Sequence, residues 1–147
     1  MTYMAKGVVR TNTPLREKNQ SNSIRTPLIE RVALTASDAA GGVFAWANPW
    51  ETGITIQRVI ISITTAASAA CTIDIGTTAT SAATSSDTLL DGLDVNAATG
   101  SFDNITDKGT NGKSRQPLAA GKWVTASKAS GATAGLVGYA YIEYIRN

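Results

Sequence analysis

ITIQRVIISITT, residues 54–65, decides the fold class. Nine of its twelve residues are Ile, Val or Thr, and branching at Cβ crowds the preceding turn of a helix while suiting a pleated strand. Alternation puts Ile54 and Ile56 on one face and Val59, Ile61 and Ile63 on the other. The phase changes near Arg58, which predicts a β-bulge or burial on both faces.

The same grammar runs outward in both directions. Upstream, RVALT (31–35) alternates, and GGVFAWANP (41–49) is a short strand entered by two glycines and closed by Asn48-Pro49. Downstream, ACTIDIG (70–76) sets Cys71, Ile73 and Ile75 against Thr72 and Asp74. The Thr/Ser/Ala tract 77–88 reads as a long surface loop, too polar to pack, with one helical turn near Ser86–Leu90. TLLDGLDV and GSFDNITD supply short strands or turns. The C-terminal stretch reads as strand, glycine-containing turn, strand, pairing Lys122–Lys128 with Leu136–Ile145. That last strand is apolar on both faces, with Val137, Tyr139 and Tyr141 opposite Leu136, Ile142 and Tyr144, as in a strand at the centre of a sheet or under a neighbouring subunit. About eight short strands with no competing helical period predict an all-β chain: an antiparallel β-sandwich or jelly roll spanning 30–147, preceded by an extended arm over 1–29.

The arm is polar, broken by Pro14 and Pro27, and basic. Lys6, Arg10, Arg16, Lys18 and Arg25 outnumber Glu17, a surplus of +4. Residues 59–107 hold no Lys or Arg and carry six aspartates, a charge of −6. A basic arm and an acidic face on one chain attract each other between copies. An arm of this composition is held only by a tether, and the expected tether is a neighbouring subunit or a larger assembly, contacted through Lys6, Arg10, Arg16, Lys18, Arg25 and Leu28. Nucleic acid is a poor fit, because the cations are dispersed and not interleaved with aromatics.

Composition narrows the chemistry. The 147-residue chain has no histidine and one cysteine. That removes His-activated nucleophiles, imidazole ligands, an internal disulfide and thiolate zinc clusters. Cys71, among apolar strand residues, reads as a buried thiol. Asp87, Asp91, Asp94 and Asn96 are oxygen donors of the kind calcium takes, but DTLLDGLDVN lacks the EF-hand order, and the plainer reading is a solvated loop of turn-forming residues. A carboxylate pair for glycoside hydrolysis lacks the aromatic lining such clefts use, since residues 51–101 contain no aromatic. Trp46 and Trp50 could stack on sugars, or pack in the core and at a subunit interface, and Tyr139, Tyr141 and Tyr144 are further interface candidates. The GKS and GK dipeptides lack the spacing of a phosphate loop. No enzyme and no cofactor is expected. No stretch has signal-peptide or membrane-span length, so a cytoplasmic product without membrane partners is expected.

CTIDIGT (71–77), LAAGKWVTAS (118–127) and GLVGYAYIEY (135–144), within 30–147, resemble small virion proteins of tailed bacteriophages: head decoration, cement or head-fibre-like proteins. The arm is not part of that pattern. The resemblance implies a jelly roll, a homo-oligomer of the trimer type, a place on the capsid surface after synthesis in the host cytoplasm, and the major capsid protein as partner. Its work would be mechanical, opposing the internal pressure of packed DNA. The alternative is a receptor- or glycan-binding module of a fibre or tail.

Overall fold

The computed structural model describes residues 26–84 and 86–147. The arm contacts expected at Lys6, Arg10, Arg16, Lys18 and Arg25 therefore lie outside the described residues. The described chain forms nine strands: β1 (Leu28–Ala33), β2 (Phe44–Ala47), β3 (Ile54–Thr65), β4 (Cys71–Thr78), β5 (Leu90–Asp94), β6 (Gly100–Asp103), β7 (Gln116–Leu118), β8 (Trp123–Gly131) and β9 (Val137–Arg146). One sheet has the order β1-β9-β3-β6, with β7 beside β3 as well; the other has β2-β8-β4-β5. All pairs are antiparallel, and they nest: β1 with β9, β2 with β8, β3 with β6, β4 with β5. This wrapping, with successive strands alternating in pairs between two sheets, is a jelly-roll sandwich. β7, three residues containing Pro117, is the addition to the eight-strand plan, and its place at a sheet border suits a residue with no N–H to donate.

β3 contains the bulge. Ile56 pairs with Tyr144 and Arg58 with Glu143, so Gln57 is the extra residue. The extra residue restores the phase instead of dividing the strand between faces. Ile54, Ile56, Val59, Ile61 and Ile63 are all buried in one core. The expectation that Val59, Ile61 and Ile63 face away from Ile54 and Ile56 is corrected here. Counting by twos holds only while every residue is paired, and one unpaired residue inverts the count. Five buried β-branched side chains contribute roughly 1.5–3 kcal/mol each, making β3 the main apolar plank of the sandwich.

The C-terminal strands differ from the hairpin expectation. β8 lies between β2 and β4, while β9 lies between β1 and β3 in the opposite sheet. The 132–136 connection crosses between layers, and Asp38 anchors it by accepting from Thr133 N–H at 2.9 Å and Thr133 hydroxyl at 2.8 Å. β9 is nevertheless central, as its two apolar faces require. The arm boundary also moves: Leu28 and Ile29 are strand residues paired with Tyr144 and Glu143, and Leu28 packs against the core.

The Thr/Ser/Ala tract packs more closely than its polarity suggests. β4 takes its first two residues, and no helix forms among the described residues at 86–90. A Cβ on Gly76 would lie 2.1 Å from Ser86 Oγ, and one on Gly41 would lie 1.9 Å from Ser81 O. Small residues let the tract close over the outer side of the second sheet, where hydrogen bonds replace apolar contact. Ser86 hydroxyl donates to Thr77 O at 2.9 Å, and Gly41 N–H donates to Ser127 Oγ at 2.7 Å. Thr125 and Ser127 alternate with the core residues Val124 and Ala126, so they face outward, yet they are buried. The thiol of Cys71 is buried too, and burial raises its pKa.

Candidate interaction surface

The five aromatic interface candidates divide into two groups. Tyr144 is only 1% exposed and belongs to the core, which removes it from any subunit contact. Its ring lies 5.2 Å from Trp46, and its hydroxyl oxygen accepts from Trp50 Nε1 at 3.2 Å. The Arg146 guanidinium stands 4.0 Å from the centroid of the Trp50 ring. Both tryptophans are thus half-buried around Tyr144, and a cation covers one face of Trp50. The alternation of β9 assigns Tyr144 to the side of Ile142, which was the available sign of its burial.

Tyr139 and Tyr141 point the other way, onto the outer face of the first sheet. Register aligns Arg31, Tyr141 and Ile60 in one row and Ala33, Tyr139 and Ser62 in the next. Arg31 reaches diagonally to 4.7 Å from the Tyr139 ring centroid. Ile29 is 63% exposed, Val137 51% and Tyr139 36%. Three of the four large exposed hydrophobics among the described residues lie on this sheet, the other being Ile105. Among the described residues, the opposite sheet buries its outward-facing Thr125 and Ser127, whereas this one leaves Ile29, Val137 and Tyr139 exposed. Arg58 and Asp103 form a salt bridge at its β3–β6 side. Ile29 and Arg31 were hidden in the sequence by assigning 28–29 to the arm, which cut the alternation of LIERVA in two.

The acidic loop is organised by its own hydrogen bonds. Asn111 donates from Nδ2 to Asp87 at 2.8 Å and from its backbone N–H to Asp91 at 3.0 Å. Asp94 accepts from the N–H groups of Asn96 and Ala97, an Asx turn, at 2.9 and 3.0 Å. Asn96 Nδ2 donates to Ala67 O at 2.7 Å. The four calcium candidates therefore divide between two separate turns. Among the described residues no three His, Cys, Asp or Glu side chains are placed to hold a metal. Burial raises the pKa of nearby Asp74, with the charges of Asp91 and Asp87 adding to it and the Gly92 N–H opposing.

The chain matches no known family model, and no curated protein or solved structure matches it significantly. A 280 Å³ depression between the end of β4 and the β7–β8 connection is lined by Thr77, Thr78, Pro117, Leu118 and Lys122 among others, and by none of the aspartates. No described helix is long and apolar enough to cross a membrane. The outer face of β1-β9-β3 is the surface whose chemistry is least accounted for among the described residues.

Proposed function

We propose that the protein is a structural subunit of a tailed-phage virion that decorates and stabilises the capsid. The observation that carries this reading is the asymmetry of the sandwich: one outer face closed by polar loops, the other presenting Ile29, Val137 and Tyr139 among Arg31, Arg58 and Glu143. A mixed apolar and charged sheet face suits a broad, flat protein contact, in which aromatic and Arg side chains dominate. The jelly-roll architecture and the virion-like strand motifs agree with that use. Apolar area buried across the joints of a shell contributes about 25 cal/mol per Å², which opposes the outward pressure of packaged DNA. The major capsid protein and further copies of this chain are the partners in this reading.

The test is reconstitution. Purified protein is added to DNA-filled heads that lack it, and binding and the temperature of DNA release are measured. Saturable binding with a raised release temperature is expected. Heads that neither bind the protein nor gain heat resistance would end the reading.

A further inference from the structure

We propose that the outer edge of β1, which pairs with no other described strand, takes a strand from a second copy of this chain, residues 6–12, antiparallel and with Arg10 opposite Glu30. This rests on the assembly reading above and names the contact that would hold it.

The edge itself is the first argument. β1 is the border strand of its sheet. Leu34 N–H donates to Gly138 O at 2.9 Å, so in an antiparallel ladder the even-numbered residues of β1 bond to β9. The N–H and C=O groups of Ile29, Arg31 and Ala33 then point away from β9, with no partner strand among the described residues. The edge carries no proline and no bulge, the usual protections against strand addition.

Charge narrows the occupant. Two β1 strands related by a two-fold axis keep their faces only if a residue near the centre opposes itself or its face-mates. The two registers of longest overlap put Glu30 against Glu30 or Arg31 against Arg31, and like charges directly opposed are unfavourable. The edge thus repels its own copy and favours a cation at Glu30. Residues 1–25 supply one, carry a +4 surplus, and join the fold at Thr26, immediately before this edge. Within them, KGVVRTN (6–12) holds the adjacent β-branched pair Val8 and Val9 and no proline. Placing Arg10 opposite Glu30 puts Val8 against Val32 on the core side, and Val9 against Arg31 and Thr11 against Ile29 on the outer side. Residues 13–26 can extend to about 45 Å, which exceeds the width of a domain this size.

The Arg10–Glu30 pair would be of the non-hydrogen-bonded type, with Cα atoms about 4.5 Å apart, a separation a disulfide spans. Two differently tagged full-length chains, one with Arg10→Cys and one with Glu30→Cys, are co-expressed and oxidised, with light scattering of the wild type run alongside. A disulfide joining the two tags is expected, with none when Thr11→Cys, on the other face, replaces Arg10→Cys. Glu30→Arg should weaken self-association several-fold, and adding Arg10→Glu should restore it. A disulfide that forms only when both cysteines are on one chain would show that the strand closes on its own edge and overturn the exchange. No disulfide in an oligomeric protein would overturn this pairing alone. A wild type that is monomeric at every concentration and on particles would overturn the assembly reading with it.

Discussion

The carboxylate of Asp103 accepts from the backbone N–H groups of Ile105 and Thr106, both at 2.8 Å, from the Thr106 hydroxyl at 3.1 Å, and from Arg58. Burial alone would raise its pKa, but the Thr106 N–H, Arg58, the Ile105 N–H and the Thr106 hydroxyl outweigh it and hold the group at about 2. The folded value lies below the unfolded one, so the stabilisation is complete above about pH 4 and is lost as pH falls toward 2. Partial exposure of Arg58 screens the pair, leaving roughly 1–2 kcal/mol. Asp103→Asn should lower stability at pH 6 by about that amount and flatten the acid limb between pH 4 and 2, as read by urea unfolding across pH. Asn104, its neighbour, is wholly buried. Its Oδ1 accepts from Val59 N–H at 2.7 Å, and its Nδ2 donates to Lys113 O at 2.9 Å. Asn104→Ala leaves both backbone groups without those partners and should cost about 2–3 kcal/mol in the same measurement, whereas an unchanged midpoint would mean water replaces the amide.

Arg58 and Val59 directly follow the extra residue of β3, so Asp103 and Asn104 lock the bulge from the β6 side. Deleting Gln57 should then remove the bulge without expelling a core residue. With one residue fewer, Ile54, Ile56, Val59, Ile61 and Ile63 fall at alternate positions, on the one face they already share in the bulged strand. The apolar burial is kept, so the cost should be about 1–2 kcal/mol, from refitting Arg58 and Val59 against Asp103 and Asn104. The deletion variant should keep dispersed amide NMR signals; a collapsed spectrum would show that the bulge itself, and not only the apolar face, is required. The phase change at Arg58 was legible in ITIQRVIISITT because β-branched residues mark both halves. What local pattern leaves open is which of two opposite repairs the chain makes, and that is decided by β9 on one side and β6 on the other. The misplaced β8–β9 hairpin has the same origin. Glycine-containing turns at 131–136 permit a hairpin as readily as a crossing, and the deciding contact, Asp38 to Thr133, is distant in sequence. The acids at 87–96 were legible as turn formers, while their partners Asn111 and Ala67 were not, since nothing local indicates them.

The two outer faces of the sandwich set what the molecule can do as a unit. Over β2-β8-β4-β5, Thr125 and Ser127 are sealed by loops of Gly, Ser, Thr and Ala that approach closely enough to hydrogen-bond. Over β1-β9-β3, Ile29 and Val137 remain more than half exposed among the described residues. Apolar side chains this exposed contribute little to folding, and their replacement by lysine should change the unfolding midpoint by no more than about 0.5 kcal/mol each. If this face meets the shell, the double variant Ile29→Lys with Val137→Lys should fold as the parent does, yet fail to bind heads that lack the protein. Ser127→Lys supplies the contrast, because it places a charge under the covering loops and should destabilise the fold itself. The pair separates surface from scaffold: binding lost with stability kept points to the β1-β9-β3 face, and full binding by the double lysine variant would move the contact elsewhere.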